Sequence, residues 1–204
     1  MLYRSRALHL ALAAGLTMIL TWTAPAAAET ALSDAAALML VAKPQLQHPL
    51  YGRAILIAKP LAGGVHLGFI VNKPTRVTLG DAFPDHEPSK KVAGPLYLGG
   101  PVDVSVIFAL VQRHDSPGQG SMQLTDDLFV TIAGETVDKI IEAEADHARF
   151  LFGAVIWRTG ELQDEVERGA WYVMEPESAV LLKRNVAGLW EELVRKLEQK
   201  GSML

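Results

Sequence analysis

The chain has 204 residues, a formal net charge of −4 and no cysteine, and half of its residues are apolar. This composition predicts one globular domain with a core of ordinary size. It excludes a disulfide framework, cysteine-based zinc sites, a thiol nucleophile and anchoring through an acylated cysteine. The acidic balance gives no overall attraction to nucleic acid or to anionic lipid, so no nucleic-acid partner is expected.

Residues 1–28 have the three-part pattern of a secretory signal peptide. Two arginines at the start precede an apolar run from Ala7 to Leu20, and small residues then lead to an expected cleavage at Ala28/Glu29. The apolar run is shorter than the roughly 20 residues that span a bilayer. The sequence therefore predicts a single mature domain, residues 29–204, that is periplasmic or secreted and has no stable membrane span. Retention as an anchor and a misassigned start codon stay open as alternatives.

Short apolar runs that stop at proline or glycine predict strands in the first half of the mature chain. In chain order these strands are Ala36–Ala42, Arg53–Ala58, His66–Val71, Leu96–Leu98 and Val104–Val111. Between them the sequence predicts a turn at Gly63-Gly64 and one helical turn at Thr78–Phe83. Polar loops are predicted at Pro84–Lys91 and Arg113–Ser121, where proline, glycine and charged residues gather.

Helical and strand patterns alternate irregularly in the second half. Apolar residues recur at helical spacing in Glu135–Ala145 and again in the last predicted helix, Gly188–Lys200. The remaining predicted elements are a strand at Arg149–Trp157, a helix at Gly160–Arg168 with Thr159 as its N-cap, and a strand at Ala170–Met174. Because the order lacks regular β-α-β alternation, it favours a mixed α/β (α+β) fold with a mixed, largely antiparallel sheet covered by helices.

No motif of the chain identifies a reaction. The nucleophile elbow, the zinc-protease motif, the phosphate loop and the dinucleotide-binding glycine motif are all missing from the sequence. Asp85-His86-Glu87 is interpreted as polar surface, and no metal and no cofactor are predicted. Glu161 and Glu165 are four residues apart and thus lie on one helical face. An acid/base or cation pair there stays an alternative to a role in complementing the helix dipole.

Three segments occur in a fixed order: Gly68–Thr75 (GFIVNKPT), Tyr97–Val102 (YLGGPV) and Trp157–Glu165 (WRTGELQDE), the last followed by Trp171. Together they resemble the motifs of the YqgE/AlgH family of bacterial proteins. The resemblance implies an AlgH-like mixed α/β fold and a molecular function that is largely undefined. It also brings the label of a transcriptional regulator, which an acidic chain without a helix-turn-helix pattern does not support.

Two features depart from the family pattern. Glu161 and Gln163 are exchanged relative to the family's glutamine and glutamate, and the export signal differs from the cytoplasmic character of most members.

Two of the motifs suit tight backbone geometry. Asn72 suits a left-handed turn that caps its own backbone. Gly99-Gly100 permits close backbone approach between strands or to a ligand.

The leading hypothesis is a non-enzymatic envelope protein that binds a small molecule or another envelope protein. The residues predicted for its binding site are Asn72, Lys73, Thr75, Gly99, Gly100, Pro101, Glu161 and Glu165. Two alternatives stay open. One is an acid/base or cation-dependent enzyme that uses Glu161 and Glu165, and the other is a cytoplasmic regulator whose first 28 residues are not a signal peptide.

Overall fold

Ten strands form one curled sheet in the computed structural model, which describes residues 36–201. The strands are β1 (Leu38–Ala42), β2 (Ile55–Pro60), β3 (His66–Ile70), β4 (Pro74–Thr78), β5 (Pro95–Leu98), β6 (Val102–Gln112), β7 (Ser121–Thr125), β8 (Leu128–Thr131), β9 (Ala148–Trp157) and β10 (Trp171–Met174). The predicted signal peptide, residues 1–28, lies outside the described residues.

Six helices accompany the sheet within the described range. They are α1 (Leu79–Ala82), α2 (Glu87–Lys91), α3 (Gly134–Ala143), α4 (Glu161–Glu167), α5 (Ser178–Leu181) and α6 (Leu189–Gly201), with 3₁₀ turns at Ala62–Gly64 and Ala145–His147. Among residues 36–201, none of these helices combines the length and the apolar character needed to cross a membrane.

The strands are neighbours in the order β10-β1-β2-β3-β9-β6-β8-β7, and the pair β4–β5 attaches to β9 beside β3. The pairing of β5 with β9 is parallel, and the other pairings are antiparallel. The predicted mixed, largely antiparallel sheet covered by helices is therefore confirmed.

Strand β9 is the centre of the sheet because it pairs with three other strands. Its residues 148–154 run beside β6 on one edge. On the other edge its first half pairs with β5 and its second half pairs with β3. The exchange of partner occurs at Gly153, whose φ of +74° bends the strand. This bend lets one strand connect two differently oriented parts of the sheet.

The core consists of three apolar clusters on the two faces of the sheet. One contains Phe69 and Leu110 and is covered by α6, a second contains Trp157 and Trp171 under α4, and a third lies under α3. The helical faces are those that the apolar spacing predicts, since Val137, Ile140, Leu189, Leu193 and other stripe residues are buried. Each large apolar side chain contributes about 1.5–3 kcal/mol when it is fully buried.

Two predictions about helices are wrong. The stretch predicted as a polar loop contains α2, in which Glu87 in the first turn and Lys90 in the last complement the helix dipole. The N-cap of α4 is Gly160 and not Thr159. The Thr159 hydroxyl instead donates a hydrogen bond to the carbonyl oxygen of Gly63, 2.5 Å away.

Candidate functional site

Asn72, the first of the predicted site residues, holds the start of β2 in place. Its Oδ1 accepts a hydrogen bond from the amide of Ile55 at 2.8 Å, and its Nδ2 donates to the carbonyl oxygen of Arg53 at 2.9 Å. The predicted left-handed conformation is wrong, because the only non-glycine residues of the described chain with positive φ are Arg53 and Asp103. The side chain satisfies the backbone of a distant segment rather than its own.

Lys73 and Thr75 bind two further backbone segments. The Lys73 ammonium donates to the carbonyl oxygen of Gly52 at 2.9 Å, and burial and then the nearby charge of Arg53 lower the pKa of Lys73. The Thr75 hydroxyl donates to the carbonyl oxygen of Leu96 at 2.8 Å. The polar side chains of this motif therefore connect β3 and β4 to the loop before β2 and to β5.

Gly99 and Gly100 lie where the backbone passes directly over β9. The Gly99 amide donates to Phe152 at 2.9 Å, and its carbonyl accepts from Ile70 at 2.7 Å. A Cβ atom on Gly99 would collide with the carbonyl oxygen of Gly153, and one on Gly100 would collide with the backbone of Ala154. Both glycines are buried and Pro101 is exposed. The predicted close approach is confirmed, and it joins strands of the same sheet.

Glu161 and Glu165 make separate contacts around α4. An oxygen of Glu161 accepts from the amide of Arg158 at 2.7 Å and so satisfies a donor at the start of the helix. An oxygen of Glu165 accepts from both indole N–H groups beneath the helix, that of Trp157 at 3.1 Å and that of Trp171 at 2.7 Å. Among residues 36–201, no three His, Asp or Glu side chains converge in an arrangement that could hold a metal ion.

The eight predicted site residues thus lie in three places, and all of them except the exposed Pro101 make contacts within the fold. None of the eight lines the cavities of about 220 and 470 Å³. Their part in ligand binding stays a prediction.

Most of the exposed large apolar residues of the described chain lie elsewhere, in a groove between α1 and α3. We call it the β6 groove; its volume is about 470 Å³, and its apolar walls include Val77, Phe83, Leu96, Val104, Ile107, Ile132, Val137 and Phe152. Six large apolar residues of the described chain are exposed, and four of them (Val77, Phe83, Val104 and Ile132) line this groove. Such a concentration is typical of an interaction surface, since exposed apolar side chains elsewhere are scattered singly.

One wall of the β6 groove is an unpaired strand edge. Strand β8 pairs with β6 only from Ala109 to Gln112. The preceding part of β6, Asp103–Phe108, therefore has no strand on that side among the described residues. Asp103 has a φ of +52°, and the register with β9 shifts between Val102 and Ile107. The irregular segment leaves backbone donors and acceptors next to the apolar surface.

The rim of the β6 groove, taken as the charged residues of its wall and their sequence neighbours, has more acidic than basic residues. Asp138 lines the wall, and the exposed residues next to lining residues in the sequence are Asp81, Asp103 and Glu135 on the acidic side and Arg76 and Lys139 on the basic side. An apolar groove with such a rim is complementary to an apolar segment that carries positive charges.

Sequence reasoning missed this groove. Its lining residues come from β4, α1, β5, β6, α3, β9 and the adjoining loops, with no more than four from any one element, and its apolar members fit the pattern of an ordinary strand or helix. The signal that was available is weak: it is the apolar start of β6 next to a Gly-Gly-Pro turn.

The family profile and the related sequences point to the same family. The sequence profile of the family described as AlgH-like matches residues 39–202. A UPF0301 protein from Streptomyces coelicolor is 28% identical, and the match covers 85% of this chain and 91% of that protein. A UPF0301 protein from Bacteroides fragilis is 24% identical over 79% of this chain and 82% of its own length.

Two solved structures have the same fold. The AlgH protein from Pseudomonas aeruginosa superposes with a TM-score of 0.60 and 21% identity, over 71% of this chain and 79% of that protein. A protein from Corynebacterium diphtheriae superposes with a TM-score of 0.65 and 19% identity, over 78% of this chain and 85% of its own. At these identities the superpositions establish the fold alone.

Proposed function

Since this chain belongs to the AlgH-like family, whose relatives have names that state no activity, we propose a function from the surface of the domain. The protein is an exported, non-enzymatic component of the cell envelope that binds a partner protein through the β6 groove. The convergence of four exposed apolar side chains on that groove carries the proposal. The secretory pattern of residues 1–28 supports the location.

The unpaired edge of β6 supports one kind of partner. An extended peptide segment can add a strand to such an edge through main-chain hydrogen bonds, while alternate side chains enter the neighbouring groove. The net negative rim favours positive charges on the other side chains of that segment. The partner is therefore a protein with an exposed, extended segment in which apolar and basic residues alternate.

Binding to the β6 groove can be tested with two synthetic probes, a peptide of alternating Val and Lys and a peptide of alternating Val and Glu. We expect the Lys peptide to bind the mature protein about threefold to about 150-fold more tightly, since three exposed ion pairs at about 0.2–1 kcal/mol each contribute about 0.6–3 kcal/mol. Nuclear magnetic resonance titration would show shifts at Val104–Ile107 and slower exchange of alternate amides there.

Val104→Ser is the variant that tests the groove, and Val173→Ser is its matched control. Both valines are exposed on strands, but Val173 lies on β10, outside the groove. We expect weaker peptide binding in Val104→Ser alone. Equal binding of the two peptides, or equal loss of binding in both variants, would contradict docking at β6.

The location needs its own measurement, the intact mass and N-terminal sequence of the protein from fractionated cells. A periplasmic form that starts at Glu29 is expected. A full-length cytoplasmic form would contradict export and would leave the docking proposal to be judged by the peptide titration.

A further inference from the structure

Arg149 is a buried cation in an otherwise apolar strand. The residue is 4% exposed and lies at the start of β9. One amino group of its guanidinium donates to the carbonyl oxygen of Val71, and the other donates to that of Lys183 at 2.5 Å. The guanidinium carbon lies 4.0 Å from the centroid of the Tyr97 ring. Arg149 thus holds together three segments that are distant in sequence.

These contacts leave the charge of Arg149 incompletely satisfied. Its Nε atom is buried and has no hydrogen-bond partner, and none of the ion pairs within residues 36–201 involves Arg149. A guanidinium has five N–H donors, of which two are used here. Burial lowers the pKa of Arg149, while Tyr97 opposes that shift. A buried charge without an opposite charge is costly, so an anion that reached it would be bound favourably.

A cavity of about 220 Å³ has Arg149 in its wall. Arg149 and Arg184 are the charged residues of its wall, and much of the remainder is apolar, including Leu79, Val92, Phe150 and Leu182. Arg184 is exposed, and it pairs with Asp146 at 2.6 Å through one of its amino groups. Asp146 itself does not line the cavity. The volume is smaller than the roughly 300–1,000 Å³ of sites for drug-sized ligands.

We propose that this cavity binds a small organic carboxylate. The planar guanidinium of Arg149 receives the carboxylate through its unused N–H donors, as arginine does in bidentate pairs. The apolar walls contact a compact apolar or aromatic body, and Arg184 adds positive charge to the cavity wall. The inference rests on a different part of the molecule from the β6 groove, so either can fail without the other.

Benzoate and benzamide are matched probes for this cavity, because they share a shape and differ in charge. We expect benzoate to bind the mature protein at least about tenfold more tightly, since a hydrogen bond to a charged group contributes about 1.5–3 kcal/mol. Nuclear magnetic resonance titration should move the Nε–H signal of Arg149, which a purely structural arginine would not show. Inorganic phosphate is the third probe.

Two variants that leave Arg149 in place keep the test informative. Arg184→Glu reverses a charge in the cavity wall, and we expect weaker benzoate binding than in Arg195→Glu, an exposed control on α6 with the same change of charge. Ala148→Leu fills part of the cavity and should also weaken binding, whereas Ala179→Leu on exposed surface should not.

Three results would overturn the proposal. The first is benzamide binding as tightly as benzoate, and the second is phosphate binding where benzoate does not bind, because either outcome removes the carboxylate as the recognised group. An unmoved Arg149 signal at saturating benzoate would leave the arginine with a structural role only.

Discussion

The segment around Asn72 and the β6 groove belong to one sheet, yet they differ in how their groups are satisfied. Both amide atoms of Asn72 have backbone partners, and the neighbouring Lys73 and Thr75 each donate to a carbonyl oxygen. In the β6 groove, apolar side chains and a strand edge face solvent. Side chains of the family motifs thus hold distant backbone segments together, whereas the exposed apolar groove is formed by residues outside those motifs.

Gly100→Ala should have the largest effect on the braced region. Because the new methyl group would collide with the backbone of Ala154, we expect the free energy of unfolding to fall by about 3 kcal/mol or more. Urea unfolding of the mature protein measures this change. Gly134→Ala is the matched control, since no atom lies within 4 Å of the added Cβ, and it should not destabilise the protein. Equal effects in the two variants would show that the crossing over β9 is not tightly packed.

Asn72→Ala should have an intermediate effect. It leaves the amide of Ile55 without its side-chain partner, and an unsatisfied buried donor costs about 1–3 kcal/mol. The midpoint of urea unfolding should fall accordingly, while the exposed control Gln45→Ala should leave it unchanged. An unchanged urea midpoint in Asn72→Ala would show that the hydrogen bonds of Asn72 do not stabilise the fold. The contrast between the two regions would then disappear.

Ile132→Ala should have the smallest effect on stability. Its side chain is 50% exposed in the β6 groove, so we expect the free energy of unfolding to change by no more than about 0.5 kcal/mol. Ile156→Ala, which is 47% exposed outside the groove, gives the comparison. Thermal unfolding of both variants is sufficient. A loss of several kcal/mol in Ile132→Ala alone would mean that the groove is part of the core.

Much of the fold was predictable because its longer elements carry strong periodic patterns. The stripe of Val137, Ile140 and Ile141 predicts α3, and the apolar run that ends at Trp157 predicts β9. Strands β4, β7 and β8 were not predicted. Their pairing depends on partners that are brought together by the sheet, and local sequence does not specify those partners.

The candidate surfaces were less predictable than the fold. The motif around Asn72 has a distinctive sequence, but its hydrogen bonds reach a segment 17 to 19 residues earlier in the chain. The position of Arg149 next to the apolar run FLFGAVIW does limit its environment, because a charged residue there is either at a strand end or buried. Nothing in that run indicates that its guanidinium would meet Tyr97 and Lys183.

The central position of β9 also affects when the chain can fold. Strand β9 is formed by residues 148–157, and it joins β3 to β6 in the sheet. During synthesis, the two halves of the sheet therefore lack their connecting strand until about three-quarters of the chain has left the ribosome. Pairings between distant segments also slow folding after synthesis, because a large loop must close first. Under the export that we propose, this delay would extend the time during which the chain is still unfolded and able to enter the export route.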